Sequence, residues 1–377
     1  MLVTNSFLGL VLMMVFGTFD LWAAVTTVPC DNPNFKLAPY VWKSNGAGAS
    51  ARAEATFPGA YLKTIIKGTT TLGLVIDGTA NNGCPTSSMP VIEYSIDDSP
   101  FTIVPLTQTG TLYTLPIANG LDATASHKFE FYFRAADLGQ NRWTASTAHL
   151  RIAGISIDTT GILAAYPMRP KNAICYGDSI TEGVGVDSKF TSWQILGPNN
   201  ARCAWLGLVC SALNCEYGQI GSGGQGLVTA YNVPECVTAW DHYDSTTSRL
   251  IGGRLVPEPD YLFCAHGNND HKDLTSAYTG WLSTVRKACP HTRLFCVVPP
   301  AGIHRNEITA AVNARNQAGD ARVYLIDIRL MNTLAPNTGK ATPGSYDGGH
   351  LALYGQAVFA AGIAVKVREI LSKEQQP

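Results

Sequence analysis

Charge is scarce in this chain: Asp, Glu, Lys and Arg make up 15% of its 377 residues, and the formal net charge is −1. Without a basic excess there is no electrostatic footprint for nucleic acid or an anionic membrane, so neither is expected as a partner and a neutral or weakly charged substrate is favoured. Metal-ligand spacing is missing too. No His-x-x-x-His or Cys-x-x-Cys occurs, which excludes the commonest zinc patterns, and neither a catalytic metal nor a cofactor is expected. No Asn-x-Ser/Thr acceptor is present, which removes N-linked glycosylation. There is no internal repeat and no low-complexity tract.

Long hydrophobic runs are also lacking. The apolar run at residues 8–17 is too short to span a bilayer and suits the core of a secretory signal. Ala23 and Ala24 supply small residues for cleavage, although no Lys or Arg precedes the run. Residues 1–24 are therefore set aside as a signal peptide. The expected location is extracellular, or periplasmic in a bacterium, with no membrane association after cleavage.

Cysteine, in contrast, is plentiful at ten residues. An exported protein can oxidise its thiols. Cys30 and Cys84 are the only two before Cys175 and form the simplest disulfide to expect. Cys175, Cys264 and Cys296 sit in apolar runs, where a thiol behaves as a small hydrophobe.

An apolar share of 46% over this length is enough for two cores. Residues 26–168 read as an all-β domain, a sandwich or jelly roll: short apolar runs at 72–76, 91–96 and 127–133 alternate with Gly, Asn, Asp and Pro clusters. The two-proline segment 166–170 marks the boundary. From 169 to 377 the pattern becomes α/β. Apolar runs at 174–176, 261–265, 293–298 and 323–326 fit parallel strands, and 276–287, 307–317 and 354–372 fit helices. The expectation is a three-layer α/β domain with a flavodoxin-like parallel sheet and a site at the carboxyl ends of its strands.

Four blocks in the second half carry chemistry. The run at 172–176 ends in Gly177-Asp178-Ser179, a strand-to-helix turn that can expose a nucleophilic serine. Near the other end, Asp347-Gly348-Gly349-His350 lets one short loop supply an imidazole base and the carboxylate that orients it. Between them, the glycine cluster 221–226 can bring backbone amides close to a developing negative charge, and Gly267-Asn268-Asn269-Asp270 ends an apolar strand with amide side chains able to donate to the same oxygen. Ordinary structural roles exist beside these: Ser179 as a helix N-cap, the glycines as a flexible loop, and Asn269-Asp270 as a cap for the helix that follows. His266 and His271 flank the last block and can line the same cleft or simply pack.

In this order the four blocks resemble those of the SGNH (GDSL-type) hydrolases, over about residues 170–370. The resemblance implies Ser179 as nucleophile, His350 as base, Asp347 as its orienting acid, and an oxyanion hole made by the Ser179 and Gly223 amides and the Asn269 side chain. Gly221, Gly223 and Gly224 each qualify as the backbone donor; Gly223 is chosen because Ser222-Gly223 matches the family's Ser-Gly step. The pattern Gly-x-Asn-Asp selects Asn269 over Asn268.

A β-sandwich directly ahead of such a domain, with a looser similarity around Phe57-Pro58-Gly59 and His127, resembles the layout of carbohydrate esterase family 2 and related secreted deacetylases of the acetylxylan-esterase type. That resemblance implies a serine esterase that removes acetyl groups from an acetylated polysaccharide or oligosaccharide such as xylan or glucomannan. Two other readings stand beside it: a lipase or arylesterase on the same scaffold, and a carbohydrate-binding protein with a vestigial site, in which Tyr40, Trp42, Tyr61 and Trp143 stack on sugars.

Overall fold

The computed structural model describes residues 24–144, 146–231 and 233–375; the expected signal segment therefore lies outside the described residues, apart from Ala24. From Val25 to Ala164 the strands form two antiparallel sheets. One sheet contains β1 (Val25–Pro29), β3 (Lys43–Asn45), β4 (Arg52–Ala55), β6 (Thr71–Asp77), β9 (Leu112–Asn119) and β11 (Leu150–Asp158). Its order is β3-β4-β11-β6-β9, with β1 also on β11. The other contains β2 (Lys36–Leu37), β5 (Tyr61–Lys67), β7 (Val91–Ile96), β8 (Thr102–Pro105), β10 (Ser126–Ala135) and β12 (Ile162–Ala164). Its order is β12-β5-β10-β7-β8, with β2 on β5.

Side-chain alternation explains the stacking. On β10, Phe129, Phe131 and Phe133 are fully buried, as are Leu62 and Ile66 on β5 and Leu74, Ile76, Ile155 and Ile157 on the facing sheet. Each such side chain contributes about 1.5–3 kcal/mol by leaving water. The opposite face of β5, β7 and β10 should be solvated by the same period-two rule, yet Tyr61, Lys63, Glu93, Tyr132 and Arg134 on it are also buried. They pack against the second half of the chain: Tyr61 meets Tyr217 at 5.3 Å between ring centroids, and Glu93 accepts from Arg202 at 2.5 Å. One continuous hydrophobic core runs through both halves.

The second half is built on a parallel sheet of β13 (Lys171–Gly177), β14 (Cys215–Gly221), β15 (Tyr261–Ala265), β16 (Arg293–Val297) and β17 (Val323–Ile326). The order β14-β13-β15-β16-β17 reverses direction beside β13, and a crevice opens at such a switch point, beyond the carboxyl ends of the strands. The helices are α1 (Ser179–Glu182), α2 (Trp205–Ala212), α3 (Cys236–Ala239), α4 (Thr275–Ala288), α5 (Arg305–Gln317), α6 (Met331–Leu334) and α7 (Leu353–Glu374). Among them α2 packs on α7 and α4 on α5. Among the described residues no helix is long and apolar enough to cross a membrane.

Two elements escape a reading of hydrophobic pattern. Strand β14 carries Glu216 and Gln219, both buried, and looks too polar for a core strand. Glu216 is satisfied across the junction, where the Tyr61 hydroxyl donates to it, and Gln219 Nε2 donates to the Ala201 carbonyl at 3.2 Å. Helix α2 is short, and its leading Trp205 is held by Gln356 of α7, which accepts from the Trp205 amide at 2.8 Å. The expected Cys30–Cys84 disulfide is not formed: all ten cysteines are free thiols, nine of them buried. Burial pushes the Cys30 thiol up to about 11, so these residues act as small core hydrophobes. The aromatics Tyr40, Trp42 and Tyr61 are likewise core residues and present no face to a sugar.

Candidate functional site

Strand β13 delivers Ser179. Its last residue, Gly177, is followed by Asp178 in extended conformation, whose Oδ1 accepts from the Ile180 amide at 2.9 Å and caps α1. The N-cap is thus Asp178, and Ser179 is the first helical residue, 5% exposed. Gln356 Nε2 donates to the Ile180 carbonyl at 3.1 Å and Trp205 Nε1 to Thr181 Oγ1 at 3.2 Å, so the turn is clamped from α7 and α2.

The loop before α7 delivers the imidazole. Asp347 Oδ1 accepts from the amides of Gly349 at 2.9 Å and His350 at 2.7 Å, which folds the loop tightly. Gly348 sits at φ +82°, and a Cβ there would lie 2.4 Å from the Lys340 carbonyl oxygen, so glycine is required. Asp347 Oδ2 lies 2.7 Å from His350 Nδ1, and His350 Nε2 lies 3.0 Å from Ser179 Oγ. Burial works against charge on Asp347, but the His350 ring and the two loop amides outweigh it and hold the carboxyl well below the usual range. An ionised Asp347 fixes the proton on Nδ1. That leaves Nε2 to accept the Ser179 proton, the geometry a base needs.

Asn269 follows β15. Its Nδ2 donates one hydrogen to the Gln225 carbonyl at 3.0 Å, and the amide group carries a second. The next residue does not cap a helix: α4 begins six residues after Asn269, and Asp273 Oδ1 accepts from the Thr275 amide at its start. Asp270 instead pins the glycine loop, accepting from the amides of Leu227 at 2.8 Å and Val228 at 2.9 Å. A Cβ on Gly226 would fall 2.5 Å from the Asp270 carboxylate, so that close approach depends on glycine. His304 Nε2 lies 3.0 Å from the Asp270 carbonyl and supports the loop from α5.

The Gly223 expectation is corrected. Its amide donates to Glu182 Oε2 at 2.7 Å, and a single N–H so engaged with a carboxylate is not left over for an oxyanion. Ser222 is engaged as well, donating to the Gly177 carbonyl at 3.0 Å. Of the glycines considered, Gly224 has an amide with no acceptor among the described residues.

Glu182 reveals a feature that sequence alone did not. Arg142, on the segment that follows β10, makes two bonds to it at 2.6 and 2.9 Å, and both side chains are almost fully buried. The antiparallel half therefore reaches under the nucleophile turn. From the same segment, Leu138 would touch a Cβ placed on Gly223. Phe190 lies 5.1 Å from the His350 ring and 5.4 Å from Trp193, centroid to centroid. Trp193 abuts Gly223 and is 42% exposed, whereas Tyr231 abuts Gly224 and is 67% exposed. No periodicity marks these aromatics, because they lie on loops.

His266 does not line the cleft. It is fully buried, and burial lowers it to about 4; His271 is exposed. His127 is bound to Asp97 at 2.7 Å, far along β10 in the sandwich. Among the described residues no cluster of His, Cys, Asp or Glu could hold a metal ion.

Asp178 has a distinct titration. Burial, reinforced by Asp270, pushes its carboxyl up to about 6, and its Oδ2 has no partner among the described residues. The folded protein thus retains a proton that the unfolded chain releases, and stability from this group declines as pH rises from the ordinary carboxylate range through about 6. Asp178→Asn keeps an acceptor for Ile180 and removes the charge. Its melting temperature is expected to gain on wild type from pH 4 to 7, by roughly 3 kcal/mol equivalent at most; parallel curves across that window would refute the assignment.

Comparison with known proteins bears on this geometry. No family model matches the chain. It is 24% identical over 254 residues to the cellulase/esterase CelE of Acetivibrio thermocellus, a match that takes in 62% of this chain and only 29% of that protein. The solved family two carbohydrate esterase of Cellvibrio japonicus superposes with a TM-score of 0.74 at 18% identity, over 93% of this chain and 99% of that one. The chain shares the fold of that family two carbohydrate esterase. The acetyl xylan esterase Est2A of the rumen bacterium Butyrivibrio proteoclasticus has it too, with a TM-score of 0.72 at 14% identity over 92% of this chain and 99% of that one. The chain accordingly resembles the carbohydrate esterases in both of its halves, antiparallel and parallel.

Proposed function

We propose that the protein is a secreted serine esterase that removes short acyl groups, acetyl foremost, from carbohydrate. The observation that carries this reading is the continuous chain Asp347–His350–Ser179, with 2.7 and 3.0 Å links, at the switch point of the parallel sheet. Ser179 attacks the ester carbonyl as His350 takes its proton. His350 then returns that proton to the departing sugar hydroxyl, and water resolves the acyl-enzyme by the same route. The Ser179 amide and the free hydrogen of Asn269 stabilise the oxyanion, with Gly224 supplying the amide that the glycine run leaves unengaged. The carbohydrate assignment draws on the resemblance to the carbohydrate esterases, on the low net charge and on the exposed rings of Trp193 and Tyr231 beside the glycine loop, which suit the apolar face of a sugar. Export draws on the apolar run at residues 8–17.

The test is acetate release from acetylated xylan, acetylated glucomannan and p-nitrophenyl acetate, with a chain-length series of p-nitrophenyl esters beside it. A rate that peaks on acetate is expected. A peak on long acyl chains would point to a lipase, and tight polysaccharide binding without hydrolysis would point to a binding protein. Asn269→Ala is expected to lower turnover by about a hundredfold to a thousandfold with little change in KM; near-normal turnover would remove Asn269 from the oxyanion hole.

A further inference from the structure

A second concave site lies at the junction of the two halves, away from Ser179. The cleft has a volume of about 460 Å³, within the size that holds a small organic ligand. It opens between the outward face of β5 and β10 and the start of β14, and Lys63, Lys128, Arg169, Tyr132, Tyr166 and Glu216 are among the residues that line it. Glu216 is near the amino end of β14 and the glycine run leaves its carboxyl end, so the cleft is roughly 15–20 Å from the nucleophile turn.

Most of its charged groups are hydrogen-bonded. Lys128 pairs with Asp98 at 2.5 Å, and Arg169 donates to the Cys215 carbonyl at 3.1 Å and to Ser211 Oγ at 3.4 Å. Glu216 accepts from the Tyr61 hydroxyl and the Arg169 amide, and Glu130 from the Tyr166 hydroxyl. The Lys63 ammonium is held only by a loose ion pair with Glu216. Its side chain is 6% exposed, its nearest carboxylate oxygen, on Glu216, is 3.7 Å away, and its Nζ has no hydrogen bond among the described residues. The ammonium rests over the rings of Tyr61 at 4.4 Å and Tyr166 at 5.7 Å. A buried ammonium with so loose a partner is costly, and burial draws its proton affinity down despite Glu216 and Glu130.

A single carboxylate on a ligand would give the Lys63 ammonium the close hydrogen-bond acceptor that Glu216, at 3.7 Å, does not supply. The remaining volume is too large for a bare inorganic anion, and the half-buried Tyr166 ring offers a surface for a flat apolar face. We propose that this cleft is a non-catalytic binding site for a carboxylate-bearing sugar, a hexuronic acid residue, with Lys63 as its charge partner and Tyr166 as its stacking face. That the ring is a sugar rests on the carbohydrate reading given above; the charge requirement stands on Lys63 alone. Such a site would hold uronate-substituted chains while the ester is cleaved elsewhere.

The probe is methyl β-D-glucuronide, titrated by NMR or calorimetry into the Ser179→Ala full-length protein, with methyl β-D-glucoside as the neutral control. Saturable glucuronide binding with a Kd on the order of 1 mM is expected, at least tenfold tighter than the glucoside. It should weaken at least tenfold in Lys63→Met and in Tyr166→Ala, with melting temperatures recorded for both. Should Lys63→Met not fold, the half-buried Tyr166→Ala carries the test. Equal affinity for the two sugars, equal competition by inorganic phosphate, or wild-type binding in the folded variants would overturn the proposal. p-Nitrophenyl acetate and acetylated-xylan turnover, measured for the same substitutions in the Ser179 background, separate the two readings. Glucuronide binding without any esterase activity would retain this site and remove the esterase, whereas activity without glucuronide binding would do the reverse.

Discussion

Ser179→Ala is expected to reduce acetate release by about five to six orders of magnitude while the melting temperature stays close to wild type. The expected size follows from the geometry: Ser179 Oγ, 3.0 Å from His350 Nε2, is the one atom placed to form an acyl-enzyme. Stability should hold because, among the described residues, the hydroxyl hydrogen-bonds to that ring alone, while the turn itself is fixed by Asp178, Gln356 and Trp205. His350→Ala should cost nearly as much, and the double variant scarcely more than either, since the two act as a unit. Asp347→Asn should lower turnover by about ten-thousandfold through loss of the correct tautomer. Steady-state rates on p-nitrophenyl acetate, with mass spectrometry for the acyl-enzyme, decide the matter. A Ser179→Ala protein that kept a tenth of its activity would end the serine-esterase reading.

Breaking the Arg142–Glu182 pair should be the most damaging change outside the nucleophile and its base. Exposed ion pairs contribute about 0–1 kcal/mol, but here both partners are buried, and Arg142→Met would strand the Glu182 carboxylate without its counter-charge. A loss of about 3–5 kcal/mol is expected. Turnover should fall as well, because Glu182 lies in the same short helix as Ser179 and its Oε2 holds the Gly223 amide. Arg142→Met with Glu182→Gln removes both charges, and should recover much of the stability but not all of the activity, since a neutral amide holds Gly223 less firmly. Urea unfolding and kcat for the two single variants and the double form a cycle that isolates the coupling. A loss below about 1 kcal/mol in Arg142→Met would mean that the pair adds nothing beyond a surface bridge.

The placement of Arg142 shows where reading the sequence stops. The parallel strands 261–265 and 323–326 coincide with β15 and β17, and the helices at 276–287 and 354–372 fall within α4 and α7, because apolar runs and helical spacing are local properties that burial only reinforces. Strand β14 was hidden by Glu216 and Gln219, whose buried side chains find partners in Tyr61 of the other half and in the Ala201 carbonyl. The Gly223 amide looked available because nothing in a glycine run tells which N–H already has an acceptor; Glu182 decides that, and Glu182 is fixed in turn by Arg142. The free thiols tell the same story. Cys30 and Cys84 are natural partners by count alone, yet each is buried in its own surroundings.

By itself, the sequence determined the order of the four blocks around Ser179, the glycine run, Asn269 and Asp347–His350, the change from antiparallel to parallel architecture between Ala164 and Lys171, and the absence of a strong charge field. Each of these is written in neighbouring residues or in bulk composition. Only the tertiary structure decided which glycine amides are already engaged, which aromatics face solvent, and that Arg142 from the antiparallel half sits beneath the nucleophile turn while Lys63 at the junction has its nearest carboxylate 3.7 Å away. Those outcomes depend on which buried polar groups meet across the fold, and pairing of that kind leaves no trace in local periodicity.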